Sequence, residues 1–116
     1  MFIKLNHKYL KVYGAIRELA KEVYSVSMKL PVEEKFNMVQ QMRRAALSVK
    51  LNLAEGSTRK SPNERKRFYE VSRGSVVEID AVLETAVDLN YFTIDQLNSV
   101  AKLLNKCFAM LSNMIG

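Results

Sequence analysis

The chain has 116 residues, a length that fits one domain with one core and leaves no room for a separate regulatory domain. Apolar residues make up 48% and charged residues 26%, with only four Gly and two Pro, which excludes collagen-like, mucin-like and disordered readings and favours helices. The formal charge of +6 makes an acidic partner plausible, although solubility alone could account for it.

Apolar residues recur at helical spacing from about residue 8 to 29, as Tyr9, Val12, Ile16, Leu19, Ala20, Val23 and Val26. Leu30-Pro31 ends that helix. Pro31 also suits the first turn of a second helix, and Glu33 and Glu34 place negative charge where its dipole favours it. The second helix is expected over about 32–55, with Gly56 as a left-handed C-cap and Ser57 to Lys60 as a polar connection. Ser61-Pro62-Asn63-Glu64 reads as a capping box with proline at the first helical position, so the third helix is placed at about 62–89. Its expected core stripe is Phe68, Ser72, Ser75, Ile79, Val82, Leu83 and Ala86. Thr93-Ile94-Asp95-Gln96 is a second capping box, with Phe92 and Leu97 as a hydrophobic staple, opening a fourth helix over about 94–115. Short connections join antiparallel neighbours, so the expected architecture is an all-α, antiparallel up-down four-helix bundle, one domain over 1–116. No run of about 18 uncharged apolar residues exists, and the N-terminus shows no secretory leader; no membrane association is expected, and the cytoplasm is the expected compartment.

On the second helix Met42, Ala46, Val49 and Leu53 form a core stripe, whereas Phe36, Leu47, Leu51 and Ala54 form another more than about 100° away. Two readings stay open for it: a wide contact inside the bundle, or a subunit interface through Phe36, Leu47 and Leu51. Ser48, Asn52 and Glu55 share a face and read as a hydrogen-bonded network that sets packing register.

Residues 43 to 73 hold nine bases, Arg43, Arg44, Lys50, Arg59, Lys60, Arg65, Lys66, Arg67 and Arg73, against three acids, and so carry the whole net charge. In an up-down bundle this excess gathers at one end, together with Lys4, Lys8 and Lys11, while Glu84, Asp88 and Asp95 belong to the other. On the third helix the bases come first and the acids last. That order opposes the macrodipole, which prefers the reverse by roughly 0.3 to 1 kcal/mol per well-placed charge. A solvated face and a phosphate-binding site are the two readings of such a run. With Phe68 assigned to the core, Tyr69 is the aromatic expected to stack on bases there.

Other chemistry is missing its residues. A lone histidine, His7, and a lone cysteine, Cys107, rule out paired-ligand metal chemistry and an intrachain disulfide, and no nucleophile has an orienting base. His7 is expected to be an ordinary terminal side chain and Cys107 a small, partly buried apolar residue. Neither a cofactor nor an enzymatic activity is expected.

The stretch from Arg43 to Asp80 resembles the four-helix bundle family of S23, or 23S rRNA intervening-sequence, proteins. The matching features are Arg43-Arg44-Ala45-Ala46, Ser48, Asn52, Ala54-Glu55-Gly56, Arg59, Ser61, Phe68, Arg73-Gly74-Ser75 and Glu78, with Leu30 to Phe36 and Leu89-Asn90-Tyr91 fitting as well. Lys50 stands where such proteins often carry proline. The resemblance implies a closed homo-oligomer, typically a pentamer. A related branch, the accessory variability determinants of diversity-generating retroelements, implies nucleic acid, RNA or DNA, and a reverse transcriptase as partners. It implies no catalytic residues. Nucleic-acid binding through the basic end and a protein-binding scaffold are therefore the two functional expectations.

Overall fold

The computed structural model describes residues 2–116, and all of their side chains except that of Tyr9, whose expected place on the first core stripe lies outside the described residues. Four helices carry the fold: α1 (Lys11–Ser27), α2 (Met38–Ser57), α3 (Pro62–Asp88) and α4 (Asn98–Ile115), with single 3-10 turns at Asn6–Tyr9, Val32–Glu34 and Ile94–Leu97. No strand occurs among the described residues. α1 packs on α2 and α4, and α3 on α2 and α4, so α2 and α4 occupy opposite corners.

Tyr13 near the start of α1 lies under Lys50 in the second half of α2, and Tyr24 near its end lies under Arg43 in the first half. Likewise Ser72 and Ser75 of α3 reach Val49 and Ser48 of α2. The continuous core includes Ile16, Leu19 and Val23 of α1, Met42, Val49 and Leu53 of α2, Ile79 of α3, and Val100, Cys107 and Leu111 of α4. Cys107 is fully buried rather than partly so, and desolvation pushes its thiol up to about 11, which leaves it an inert packing group.

The helix boundaries differ from expectation at the starts of α1, α2 and α4, each of which a 3-10 turn precedes. Leu10 is extended (φ −74°, ψ 138°), so residues 6–9 form a separate turn that seats on α1 and α2. Likewise the first turn expected of helix two is a detached 3-10 turn, because Asn37 leaves helical geometry (φ −130°, ψ −92°) before α2 begins at Met38. That turn holds Glu34 where its carboxylate accepts the Tyr91 hydroxyl at 2.9 Å, bracing the connection after α3. Ser61 caps α3 by accepting from the Glu64 N–H at 3.4 Å, whereas the full reciprocal box forms at Thr93 and Gln96. Phe92 and Leu97 beside it are both buried, as a staple requires.

Gly56 does not cap α2 in a left-handed conformation. The helix runs on to Ser57, and Gly56 is buried where a Cβ would lie 2.7 Å from the Phe68 Cβ and 3.0 Å from the Tyr69 ring. The left-handed residue is Asn90 (φ 63°), which ends α3. There the Asn90 N–H reaches the Val87 carbonyl and the Tyr91 N–H that of Ala86, both at 2.9 Å, satisfying carbonyls that the helix end leaves open.

His7 is also not an ordinary terminal side chain. It is buried, with its ring edge-on to Tyr13 at 4.9 Å between centroids and its Nδ1 without a partner. Burial, with help from nearby Lys8, lowers its pKa from the ordinary 6.5. The unfolded chain therefore takes up a proton at a higher pH than the folded one. Stability should be full above about pH 6.5 and fall as pH drops through the window down to the lowered folded value. Thermal unfolding between about pH 5 and 8 should show this slope in the parent and lose it in His7→Gln; equal slopes in both would contradict it.

Candidate nucleic-acid interface

The connection between α2 and α3 is held in one shape by hydrogen bonds. The Thr58 hydroxyl donates to the Glu55 carbonyl at 2.7 Å, and the Thr58 and Arg59 N–H groups reach Glu55 and Gly56. One Arg65 Nη donates to the carbonyls of both Arg59 and Lys60, at 2.8 and 2.9 Å. Arg65 thus fixes the loop while leaving its charge at this end. The Arg59 guanidinium lies 4.9 Å from the centroid of Phe68 and 3.5 Å from Glu55. Lys60, Lys66 and Arg67 are exposed, and no ion pair to them forms among the described residues.

The two aromatics exchange the roles expected of them. Tyr69 is buried under α2, and since Ser57 Oγ donates to the Leu53 carbonyl, the Tyr69 hydroxyl 3.2 Å away donates to Ser57. Its ring is not free to stack on a base. Phe68 is half-buried and presents its face to Arg59. The signal lies in the spacing Tyr69, Ser72, Val76, Ile79, Leu83, Ala86, an alternation of three and four that is the buried seam of α3.

The remaining bases do not gather at that end. At about 1.5 Å per residue, Arg43 and Arg44 lie about 20 Å down α2 from Ser57, and Arg73 about 16 Å along α3 from Pro62. Arg43 donates to the Ser27 hydroxyl at 2.9 Å and lies over Tyr24, tying α2 to α1. Arg73 donates to Ser112 at 3.1 Å and lies over Phe108, tying α3 to α4. Arg44 approaches Glu78 at 3.8 Å with both side chains well exposed, a pairing worth little. Lys50 shares with Lys8, Arg17, Tyr13 and Phe2 a groove of about 400 Å³ below the loop end. This places Lys8 beside the basic segment, and adds Arg17, which its position on the otherwise charge-balanced first helix had concealed.

Ser48 and Asn52 form the expected network, but with Ser75 and not with Glu55. The Ser75 hydroxyl donates to Ser48 at 2.8 Å, Asn52 donates to the same oxygen at 3.0 Å, and Ser72 reaches the Val49 carbonyl at 2.6 Å. Glu55 is exposed and sits beside Arg59 instead. Of the second stripe, Leu51 is 57% and Leu47 45% exposed on α2 and Ala54 is half-buried, while Phe36, 77% exposed, stands on the turn before α2 and not on the helix. The stripe makes no wide contact inside the bundle.

Among the described residues no group of His, Cys, Asp and Glu could hold a metal ion, and no helix is long and apolar enough to cross a membrane. What the loop end offers is a set of exposed cations carried on hydrogen-bonded backbone, suited to oxyanions.

The sequence model of the family described as 23S rRNA-intervening sequence protein matches residues 8–113. The chain belongs to this family. Among solved structures, this 23S rRNA-intervening sequence protein is similar to a protein of unknown function from the S23 ribosomal protein family of Bacteroides thetaiotaomicron. The two superpose with a TM-score of 0.81 over 90% of this chain and 97% of the other, at 22% identity, which shows a shared fold. No curated protein matches the chain.

Proposed function

We propose that this member of the 23S rRNA-intervening sequence family is a non-catalytic, cytoplasmic nucleic-acid-binding protein that works as a homo-oligomer of antiparallel up-down bundles, most simply a pentameric ring. The observation that carries the binding reading is the loop end, where Lys60, Lys66 and Arg67 project without an acidic partner from backbone that Arg65 holds in place. Ordering such a surface on binding costs little, since its backbone is already fixed. Copies arranged on one rim would multiply weak phosphate contacts into a usable avidity. Assembly rests on the exposed Phe36, Leu47 and Leu51 stripe.

The same stripe supports a second reading, a scaffold for a protein partner such as a reverse transcriptase. Purified protein distinguishes them. Nuclease-sensitive absorbance at 260 nm and binding to RNA or DNA at about 50 mM salt, where electrostatic association is strong, support the first. A stoichiometric co-purifying polypeptide with no nucleic-acid binding supports the second. A monomer by light scattering at tens of micromolar removes the assembly reading.

A further inference from the structure

The bundle exposes two apolar surfaces of opposite charge. The first is the outer face of α2, where Phe36, Val39 and Leu47 line a groove rimmed by Lys35, Arg43 and Arg44. The second is the seam between α3 and α4. Here two depressions of about 200 and 170 Å³ share Leu104 and Asp80 and so form one furrow, with Val77 and Phe108 in one part and Ile94, Ala101 and Glu84 in the other. Ile94 is 73%, Val77 50% and Phe108 42% exposed, so this furrow is uncovered in the single chain. Its rim carries Asp80 and Glu84, with Arg73 over Phe108 at one end, while Lys102 and Lys106 of α4 do not line it.

We infer that the basic-rimmed α2 stripe of one copy seats in the acid-rimmed α3–α4 furrow of a second copy. This rests on the assembly reading above and specifies its pairing. Three observations carry it. Two stripes facing each other across a two-fold axis would bring Lys35, Arg43 and Arg44 against their own copies, and two furrows would do the same to Asp80 and Glu84; like charges across an interface are repelled. Stripe against furrow pairs opposite charges. The lengths are compatible: the helical part of the groove, Val39 to Leu47, spans about 12 Å, within the about 15 Å that Asn98 to Phe108 offers. Finally, the groove on α2 and the furrow between α3 and α4 share no residue, so one copy can engage a neighbour through each surface at once. A contact between two different surfaces propagates head to tail and closes into a ring when its rotation permits. Two of the acids in the second half of α3, Asp80 and Glu84, border this furrow, whereas Glu78 approaches Arg44.

Charge exchange tests the pairing, read as mass in solution by sedimentation velocity, with helical content confirming the fold. Lys35→Glu with Arg44→Glu, and separately Asp80→Lys with Glu84→Lys, should each shift the assembled parent to monomer. All four substitutions in one chain should restore the parent mass. A folded quadruple variant that stays monomeric overturns the pairing, as does full assembly of the Asp80→Lys, Glu84→Lys variant. A monomeric parent overturns the assembly reading itself, and leaves nucleic-acid binding to be decided by its own assay.

Discussion

Gly56→Ala should destabilise the protein by about 1–3 kcal/mol, the usual cost of forcing a methyl into a packed interface. The new Cβ would stand 2.7 Å from the Cβ of Phe68, an atom fixed to the α3 backbone, so no rotamer change relieves the overlap. α2 and α3 would have to separate, straining the Tyr69–Ser57 hydrogen bond and the Ser48–Ser75 hydrogen bond further along the seam. The matched control is Gly74→Ala. Gly74 is exposed within α3 with nothing within 4 Å of its Cβ position, so the same chemical change should stabilise by roughly 0.5–1 kcal/mol through helix propensity. Chemical denaturation of the two variants should therefore move their midpoints in opposite directions. A neutral or stabilising Gly56→Ala would show that the two helices stand further apart than this.

Replacing Lys60, Lys66 and Arg67 together by Gln should weaken nucleic-acid binding and flatten its salt dependence. Each phosphate neutralised contributes about 0.9 to the slope of log K against log salt on duplex DNA and about 0.7 on single strands. Leaving three phosphates without their cations should thus lower the slope by about 2 to 3 units, with little change in sequence preference, because phosphates carry none. These positions are chosen because the side chains are exposed and form no ion pair among the described residues, so folding should be unaffected. Arg59 and Arg65 are poorer probes: one covers Phe68 and the other holds two loop carbonyls, so their removal also reshapes the site. Unchanged affinity and slope for both RNA and DNA would end the phosphate reading of the loop end.

The candidate site was legible in outline and misread in its aromatic. Lys60, Lys66 and Arg67 could be placed from charge and helix punctuation, since a proline-led, Ser-capped start at residue 62 puts Lys60 just before α3 and the other two in its first turns. Phe68 and Tyr69 sit on either edge of the apolar stripe, and two adjacent residues about 100° apart can each claim the core. Burial went to Tyr69 because Gly56 opens a gap above it and Ser57 receives its hydroxyl, both contributed by a different helix. Glu55 left its expected network for the same kind of reason. The partner that Ser48 and Asn52 needed was Ser75, 27 residues beyond Ser48.

By itself the sequence determined what depends on local periodicity and local caps: four helices, the core stripe Met42, Ala46, Val49 and Leu53, the Ser61 start of α3, the Thr93 capping box, and apolar residues on α2 left over from the core. These follow from interactions within one or two turns, for which neighbouring residues suffice. Only the tertiary structure decided which bases are free. Arg43 and Arg73 look like their neighbours in the chain, yet each lies over an aromatic ring and bonds a serine on another helix. The burial of His7, the detached turn at Val32–Glu34 and the role of Gly56 belong to the same class. Each is set by the distance between elements far apart in sequence, a quantity that helical spacing does not encode.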